Sequence, residues 1–137
     1  MVKYIQLKPS AELPDISELN PFRAVVIIDD EVTELWQKQV SKWLVSSGCL
    51  YMMAWGNDCK SWDSSVDKAN LEEFNYAEIP DDKFVMTTWH DNEPLNSVFW
   101  FSKHSAFHND VEINNDLLLH ISENKNEEKL LEEYSCQ

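Results

Sequence analysis

The chain contains only two glycines, Gly48 and Gly56, among its 137 residues. A loop that cradles phosphate groups with its backbone N–H groups needs several closely spaced glycines. Nucleotide binding through such a loop is therefore excluded. The nucleophile motif GxSxG and the zinc motif HExxH are also missing from the sequence, so it contains no familiar catalytic signature.

Cysteines and long apolar runs are scarce as well. The three cysteines, Cys49, Cys59 and Cys136, are an odd number without CxxC spacing, which argues against a disulfide framework and a zinc knuckle. The longest apolar runs are far shorter than the ~20 residues that cross a bilayer. The amino terminus shows no basic stretch followed by an apolar core. We therefore expect a soluble cytoplasmic protein with reduced thiols.

Basic residues are also few: the chain has 25 acidic and 11 basic residues, for a formal net charge of -14. Such a charge repels nucleic acid and anionic membranes, and it favours a basic partner. The acidic residues are concentrated in the middle of the chain, where only Lys60, Lys68 and Lys83 oppose them. This segment contains Asp58, Asp63, Asp67, Glu72, Glu73, Glu78, Asp81, Asp82, Asp91 and Glu93.

The length and the apolar content, 43% of residues, suit one domain with a sizeable core. We predict an N-terminal arm over 1–21 with a possible edge strand, an α/β domain over 22–121, and a polar acidic C-terminal tail over 122–137 that forms a frayed helix or stays loose. Alternating strands and helices predict a three-layer sandwich with a mostly parallel four-stranded sheet. The predicted strands are 22–28, 49–55, 84–88 and 116–121.

Three helices are expected between these strands. Asp29 or Asp30 is the expected cap of the first helix, whose apolar stripe ends before Gly48. Ser61 or Asp63 is the expected cap of the second, which runs towards residue 74. Pro94 fits the first turn of a third helix with aromatic residues on more than one side.

Polar residues follow three of the predicted strands. Asp29-Asp30-Glu31, Asn57-Asp58-Cys59 and His90-Asp91 come after strands one, two and three. Because parallel strands end at a common edge, these residues are expected to share one rim, where open α/β sheets bind ligands. A Cys59 nucleophile with His90 as base and an aspartate such as Asp58 as orienting group is one hypothesis. Neighbouring carboxylates raise a thiol's pKa, however, which disfavours a thiolate.

A divalent cation held by Asp29, Asp30 and Asp58 is a second hypothesis, because magnesium and calcium prefer oxygen ligands. Capping of a helix by the first two explains the same residues without an ion. The segment 25–31 also resembles the opening of response-regulator receiver domains, whose acidic pair binds magnesium beside a phosphorylated aspartate. The likeness covers seven residues, and Thr87-Thr88-Trp89 stands where that family has its aspartate. We therefore do not expect a phospho-receiver.

A third hypothesis concerns Trp55, Trp62 and Trp89, which lie at or just after predicted strand ends. If they are partly exposed, they could wall a pocket for a flat or cationic ligand beside the carboxylates. The opposing interpretation places them in the core.

Over 21–121 the chain resembles an uncharacterised family of small bacterial domains. The resemblance is most specific in CLYMMAWGNDC, SWD, SVD, FVMTTWH and the VFWF-KH-AFH stretch. It implies one intact domain and assigns no catalytic role.

The leading functional hypothesis is a non-enzymatic protein that binds a basic partner, as immunity proteins do when they block toxic nucleases. The alternatives are an enzyme, or a binder of a small ligand or divalent metal, that uses the rim. A third possibility is a homo-oligomer formed through the third helix, with Trp100 on its outer face. The residues expected to contact a partner are Trp55, Asp58, Trp62, Asp63, Asp67, Trp89 and Asp91.

Overall fold

A computed structural model describes all 137 residues. Five strands form one sheet: β1 (Val2–Leu7), β2 (Phe22–Ile28), β3 (Cys49–Gly56), β4 (Met86–His90) and β5 (Asn115–Ile121). The helices are α1 (Glu34–Ser46), α2 (Cys59–Glu73), α3 (Leu95–His104) and α4 (Glu127–Ser135). The strand order is β1-β5-β2-β3-β4, and every neighbouring pair is parallel. The predicted α/β sandwich with a parallel sheet and an extra N-terminal edge strand is confirmed.

Two apolar layers cover the two faces of the sheet. In β2, Ala24, Val26 and Ile28 point to one layer and Val25 and Ile27 to the other, because side chains alternate along a strand. The first layer packs under α1 and α2, and the second packs under α3 and α4. The sheet is therefore buried on both faces, which explains its uninterrupted apolar strands.

The segment before β2 lies along α1. Ile16 and Leu19 are buried in the first layer. Trp36 Nε1 donates to the carbonyl of Ala11 at 3.0 Å, and Trp43 Nε1 donates to the carbonyl of Pro14 at 2.7 Å. These bonds fix the segment that links the edge strand β1 to the central strand β2.

Several predicted boundaries and caps are wrong. Neither Asp29 nor Asp30 caps α1, because the Thr33 hydroxyl accepts from Trp36 N–H. The α2 helix begins at Cys59, before either predicted cap. The strand predicted over 84–88 is Met86–His90, because the backbone N–H of Val85 bonds to the Asn70 side chain instead of the sheet.

The C-terminal segment is also more ordered than expected. It forms α4, which buries Leu130 and Tyr134 against the second layer. Tyr134 OH and Ser102 Oγ lie 2.8 Å apart, which ties α4 to α3. No helix of the structure combines the length and apolar character that a membrane span requires.

Candidate functional site

The parallel sheet gathers the strand ends at one edge, as the sequence predicted. From β2 the chain proceeds outward through β3 to β4, and it then returns to β5 on the other side of β2. The crevice between the ends of β2 and β5 is therefore the point where the direction of winding changes, the usual ligand position in such sheets.

A hydrogen-bonded chain of three side chains occupies the crevice. His120, the penultimate residue of β5, has Nε2 2.5 Å from Asp29 Oδ2 and Nδ1 2.7 Å from Tyr4 OH. The backbone N–H of Asn126 donates to the same hydroxyl at 3.0 Å. Burial raises the pKa of Tyr4, so its hydroxyl keeps its proton and can donate to a neutral imidazole. Both ring nitrogens of His120 are thus already used.

These three side chains link Tyr4, in the middle of β1, to His120 near the end of β5 and to Asp29 just after β2. The sequence hypotheses included Asp29 but omitted Tyr4 and His120. The available signal was a histidine near the end of the apolar strand LLLHI, where a polar residue needs a buried partner. Asp30 has a separate role, because its Oδ2 accepts from the backbone N–H of Glu123 at 2.8 Å.

The structure places the Cys59 thiol and the His90 ring on opposite faces of the sheet. His90 Nε2 lies 2.8 Å from Thr88 Oγ1, and His90 Nδ1 lies 3.2 Å from Glu93 Oε1. The His90 ring packs edge-on against Phe101 of α3, whereas Cys59 belongs to the layer under α1 and α2. The structure contains no hydrogen bond between the Cys59 thiol and the His90 ring.

The thiol itself is poorly suited to nucleophilic chemistry. Cys59 is 4% exposed. Burial, and then the negative charge of Asp91, raise its pKa, so the reactive thiolate is disfavoured at neutral pH. Asp58, the third member of that hypothesis, is exposed, and its side chain makes no capping hydrogen bond to α2.

The expected metal ligands are not assembled either. Asp29 is paired with His120, Asp30 with a backbone N–H, and Asp58 stands at the start of α2. No group of three or more His, Cys, Asp or Glu side chains is positioned to hold a metal ion.

The three tryptophans of the pocket hypothesis have different environments. Trp62 is 1% exposed and lies in the core, so the expectation that it is partly exposed is wrong. Trp55 is half-buried, and its Nε1 donates to the carbonyl of Glu93 at 2.7 Å. Trp89 is 47% exposed. Of these three tryptophans, only Trp89 therefore offers a large free aromatic surface.

Trp89 belongs to β4, which is the last strand of the sheet and has an unpaired outer side. Apart from the ladder with β3, no backbone group of Met86–His90 bonds to another backbone group, and the His90 backbone bonds to the Cys59 thiol. The strand reads MTTWH and contains no acidic residue, lysine, arginine or proline. Natural edge strands usually carry such residues to prevent pairing with other chains. At the opposite edge, β1 contains Lys3 and is followed by Lys8 and Pro9.

One face of α2 lines this open edge. Thr87 Oγ1 donates to Asp67 Oδ1 at 2.7 Å, and Lys60 Nζ lies 5.8 Å from the centre of the Trp89 ring. Asp63 stands between Lys60 and Asp67 in sequence, one turn from each. We call this region the β4 edge surface: the outer side of Met86–His90 with the exposed residues Lys60, Asp67, Trp89 and Asp91, together with the buried Asp63.

The charge around the β4 edge surface is mainly negative. Asp67 and Asp91 are exposed beside it, and Asp81 and Asp82 are exposed in the turn that precedes β4. Partial burial raises the pKa of Asp67, the bond from Thr87 opposes that rise, and the charge of Asp63 adds to it. The β4 edge surface therefore combines an unpaired strand backbone, an exposed indole ring and carboxylates whose negative charge is only partly balanced by nearby lysines.

A family model described as Domain of unknown function (DUF7684) matches residues 2–137. No curated protein and no solved structure matches the chain. The uncharacterised family expected from the sequence motifs is thereby confirmed.

Proposed function

The chain belongs to the DUF7684 family, which assigns no activity, and we propose that it is a small acidic protein that binds a basic protein partner. The single observation that carries this proposal is the open edge of β4. An unprotected, uncharged edge strand with an exposed tryptophan lies within the most acidic part of the chain. An exposed edge is a template for another strand, and Trp is enriched at binding hot spots.

Charge supports a basic partner over a second copy of the same chain. Two molecules with a formal charge of -14 each repel one another, and pairing through β4 would bring both copies of Asp67 and Asp91 together. A basic partner would be attracted by these groups and would associate faster at low ionic strength. An immunity or inhibitor protein that blocks a basic nuclease has this kind of surface.

The rim supports the enzyme alternative less well. His90 and His120 are the rim residues suited to general base catalysis at neutral pH. Each already has both ring nitrogens hydrogen-bonded within the chain. Cys59 is buried and has a raised pKa. A substrate would therefore have to displace internal bonds before meeting a catalytic group.

Affinity capture tests the proposed function. The chain, immobilised and exposed to an extract of its native host at low salt, is expected to retain a protein with more Lys and Arg than Asp and Glu. Retention should fall as salt is raised, because the Debye length shortens from about 30 Å at 0.01 M to about 10 Å at 0.1 M. It should also fall in Asp67→Asn/Asp91→Asn.

The matched control is Glu128→Gln/Glu132→Gln, which removes two exposed charges from α4 on the other face of the sheet. This variant should retain the basic protein nearly as well as the wild type. Equal loss in both variants would show that net charge alone attracts the protein. Recovery of no basic protein at low salt would contradict the proposed function.

A further inference from the structure

Asp63 is a buried carboxylate without a complete set of partners. The residue is 6% exposed, and its Oδ1 is buried without a hydrogen bond. Buried charged groups in proteins are normally paired, because removing an ion from water costs several kcal/mol. No Lys, Arg or His lies within salt-bridge distance of Asp63. An unpartnered buried acceptor points to a group that is absent from the isolated chain.

The position of Asp63 links it to the edge of β4. The residues one turn before and after it, Lys60 and Asp67, contact Trp89 and Thr87 of β4. Asn70, one turn further along α2, bonds to the backbone on both sides of Phe84. This face of α2 therefore runs alongside β4, and Asp63 lies in the middle of it.

We infer that the partner adds an extended basic segment to the sheet along β4, with a Lys or Arg side chain placed beside Asp63 and Asp67. This inference rests on the proposed function and names the part of the partner that is bound. The unpaired backbone groups of β4 supply main-chain hydrogen bonds to an added strand. The two carboxylates supply the charged acceptors that a guanidinium or ammonium group requires.

Asp67 should oppose folding when no partner is bound. The pKa of Asp67 is raised, mainly by burial. When folding raises the pKa of a carboxyl group, the group stabilises the folded state fully only at pH values below its pKa in the unfolded chain. This stabilisation is lost as the pH rises through the pKa in the folded state. At neutral pH the ionised Asp67 is therefore unfavourable, and Asp67→Asn should leave stability unchanged or raise it. A carboxylate kept for structural reasons would behave in the opposite way.

A synthetic peptide provides the test. The probe is an acetylated and amidated nine-residue peptide in which lysine alternates with threonine, and its control has glutamate at each lysine position. We expect the lysine peptide to slow hydrogen exchange at the outward-facing amides of Met86–His90, with no such effect at Val2–Leu7. We expect no binding of the glutamate peptide.

Variants of the full chain then test the carboxylates. Asp63→Asn/Asp67→Asn is expected to weaken peptide binding by about tenfold or more, the effect of losing a charge-assisted contact. The matched control, Glu128→Gln/Glu132→Gln, has the same four-residue spacing and charge change on α4, and it should weaken binding by less than about threefold. If the double variant does not fold, Asp67→Asn alone, at an exposed position, replaces it in the binding measurement.

The inference would be overturned by no binding of millimolar lysine peptide, by protection that avoids β4, or by equal weakening by both variant pairs. Self-association with protection of β4 would also overturn it, because the occupant of the edge would then be a second copy. The failure of this inference differs from the failure of the proposed function. If a basic protein is captured in a salt-dependent way but hydrogen exchange in β4 is not slowed, the partner binds elsewhere. In that case the inference about β4 is wrong, and the proposed function still holds.

Discussion

Replacement of Arg23 by alanine is expected to lower the free energy of unfolding by about 3–5 kcal/mol. Arg23 lies on β2, and its Nε is 2.6 Å from Asp116 Oδ1 of β5. Its Nη atoms donate to the carbonyls of Ala106 and Ile113, both at 2.6 Å, and to that of Ser102 at 3.2 Å. The alanine variant would leave Asp116 and these carbonyls partly buried without their donor. Urea denaturation measures the change.

The control for this prediction is Lys3→Ala. Lys3 and Glu18 also form an ion pair, at 3.0 Å, but their side chains are 37% and 66% exposed, against 11% and 19% for Arg23 and Asp116. Exposed pairs contribute about 0–1 kcal/mol, so Lys3→Ala should have a small effect. If both variants lost the same free energy of unfolding, the hydrogen bonds of Arg23 to Asp116 and to the three carbonyls would not be a major source of stability.

Replacement of Trp62 by alanine is the second change with a large expected effect, a loss of about 3–5 kcal/mol of unfolding free energy. Trp62 is 1% exposed and packs in the layer between α2 and the sheet. Its removal takes away buried apolar area and leaves a cavity that the rigid sheet cannot fully close. The urea midpoint should fall without a change in denaturant dependence.

Trp89→Ala is the matched comparison, because it removes the same side chain from an exposed position on β4. We expect it to change stability by less than about 1 kcal/mol. If Trp62→Ala cost no more than Trp89→Ala, the assignment of Trp62 to the core would be wrong. If Trp89→Ala were the more costly variant, Trp89 would be a structural residue and a poor candidate for partner binding.

The sequence predicted the architecture because the strands are buried on both faces. Uninterrupted apolar runs such as 22–28 and 49–55 are typical of central parallel strands, and their positions are nearly those observed. The run over 84–88 was less informative. Phe84 is 46% exposed, and Asn70 takes the backbone N–H that would have continued the strand. A long-range side-chain bond of this kind leaves no local signal.

Helix ends were predicted less well for a similar reason. Acidic residues after β2 resembled caps for α1, but the sheet uses them at the rim: Asp29 pairs with His120, and Asp30 with a loop N–H of residue 123. Thr33 was then free to cap the helix. The partners lie more than 90 residues away in sequence, so local spacing does not distinguish the two roles.

The candidate site was only partly predictable. Parallel strands correctly placed the polar strand ends at a common edge, but the two faces of the sheet then separated the Cys59 side chain from the His90 ring. Nothing in the sequence indicated that Trp62 would be more buried than Trp89. Only the packing of the folded chain shows that Trp62 is in the core and Trp89 is exposed. The openness of β4 depends on the order of strands in the sheet, which residue spacing does not encode.

The most direct test of the account compares Trp89→Ala with Trp100→Ala in binding the captured basic protein. Both tryptophans are about half exposed, at 47% and 53%, but Trp100 lies on α3, which covers the face of the sheet opposite α2. We predict that Trp89→Ala raises the dissociation constant by about tenfold or more, as expected for an interface tryptophan. We predict little change for Trp100→Ala. An equal effect of both variants, or a larger effect of Trp100→Ala, would contradict the account.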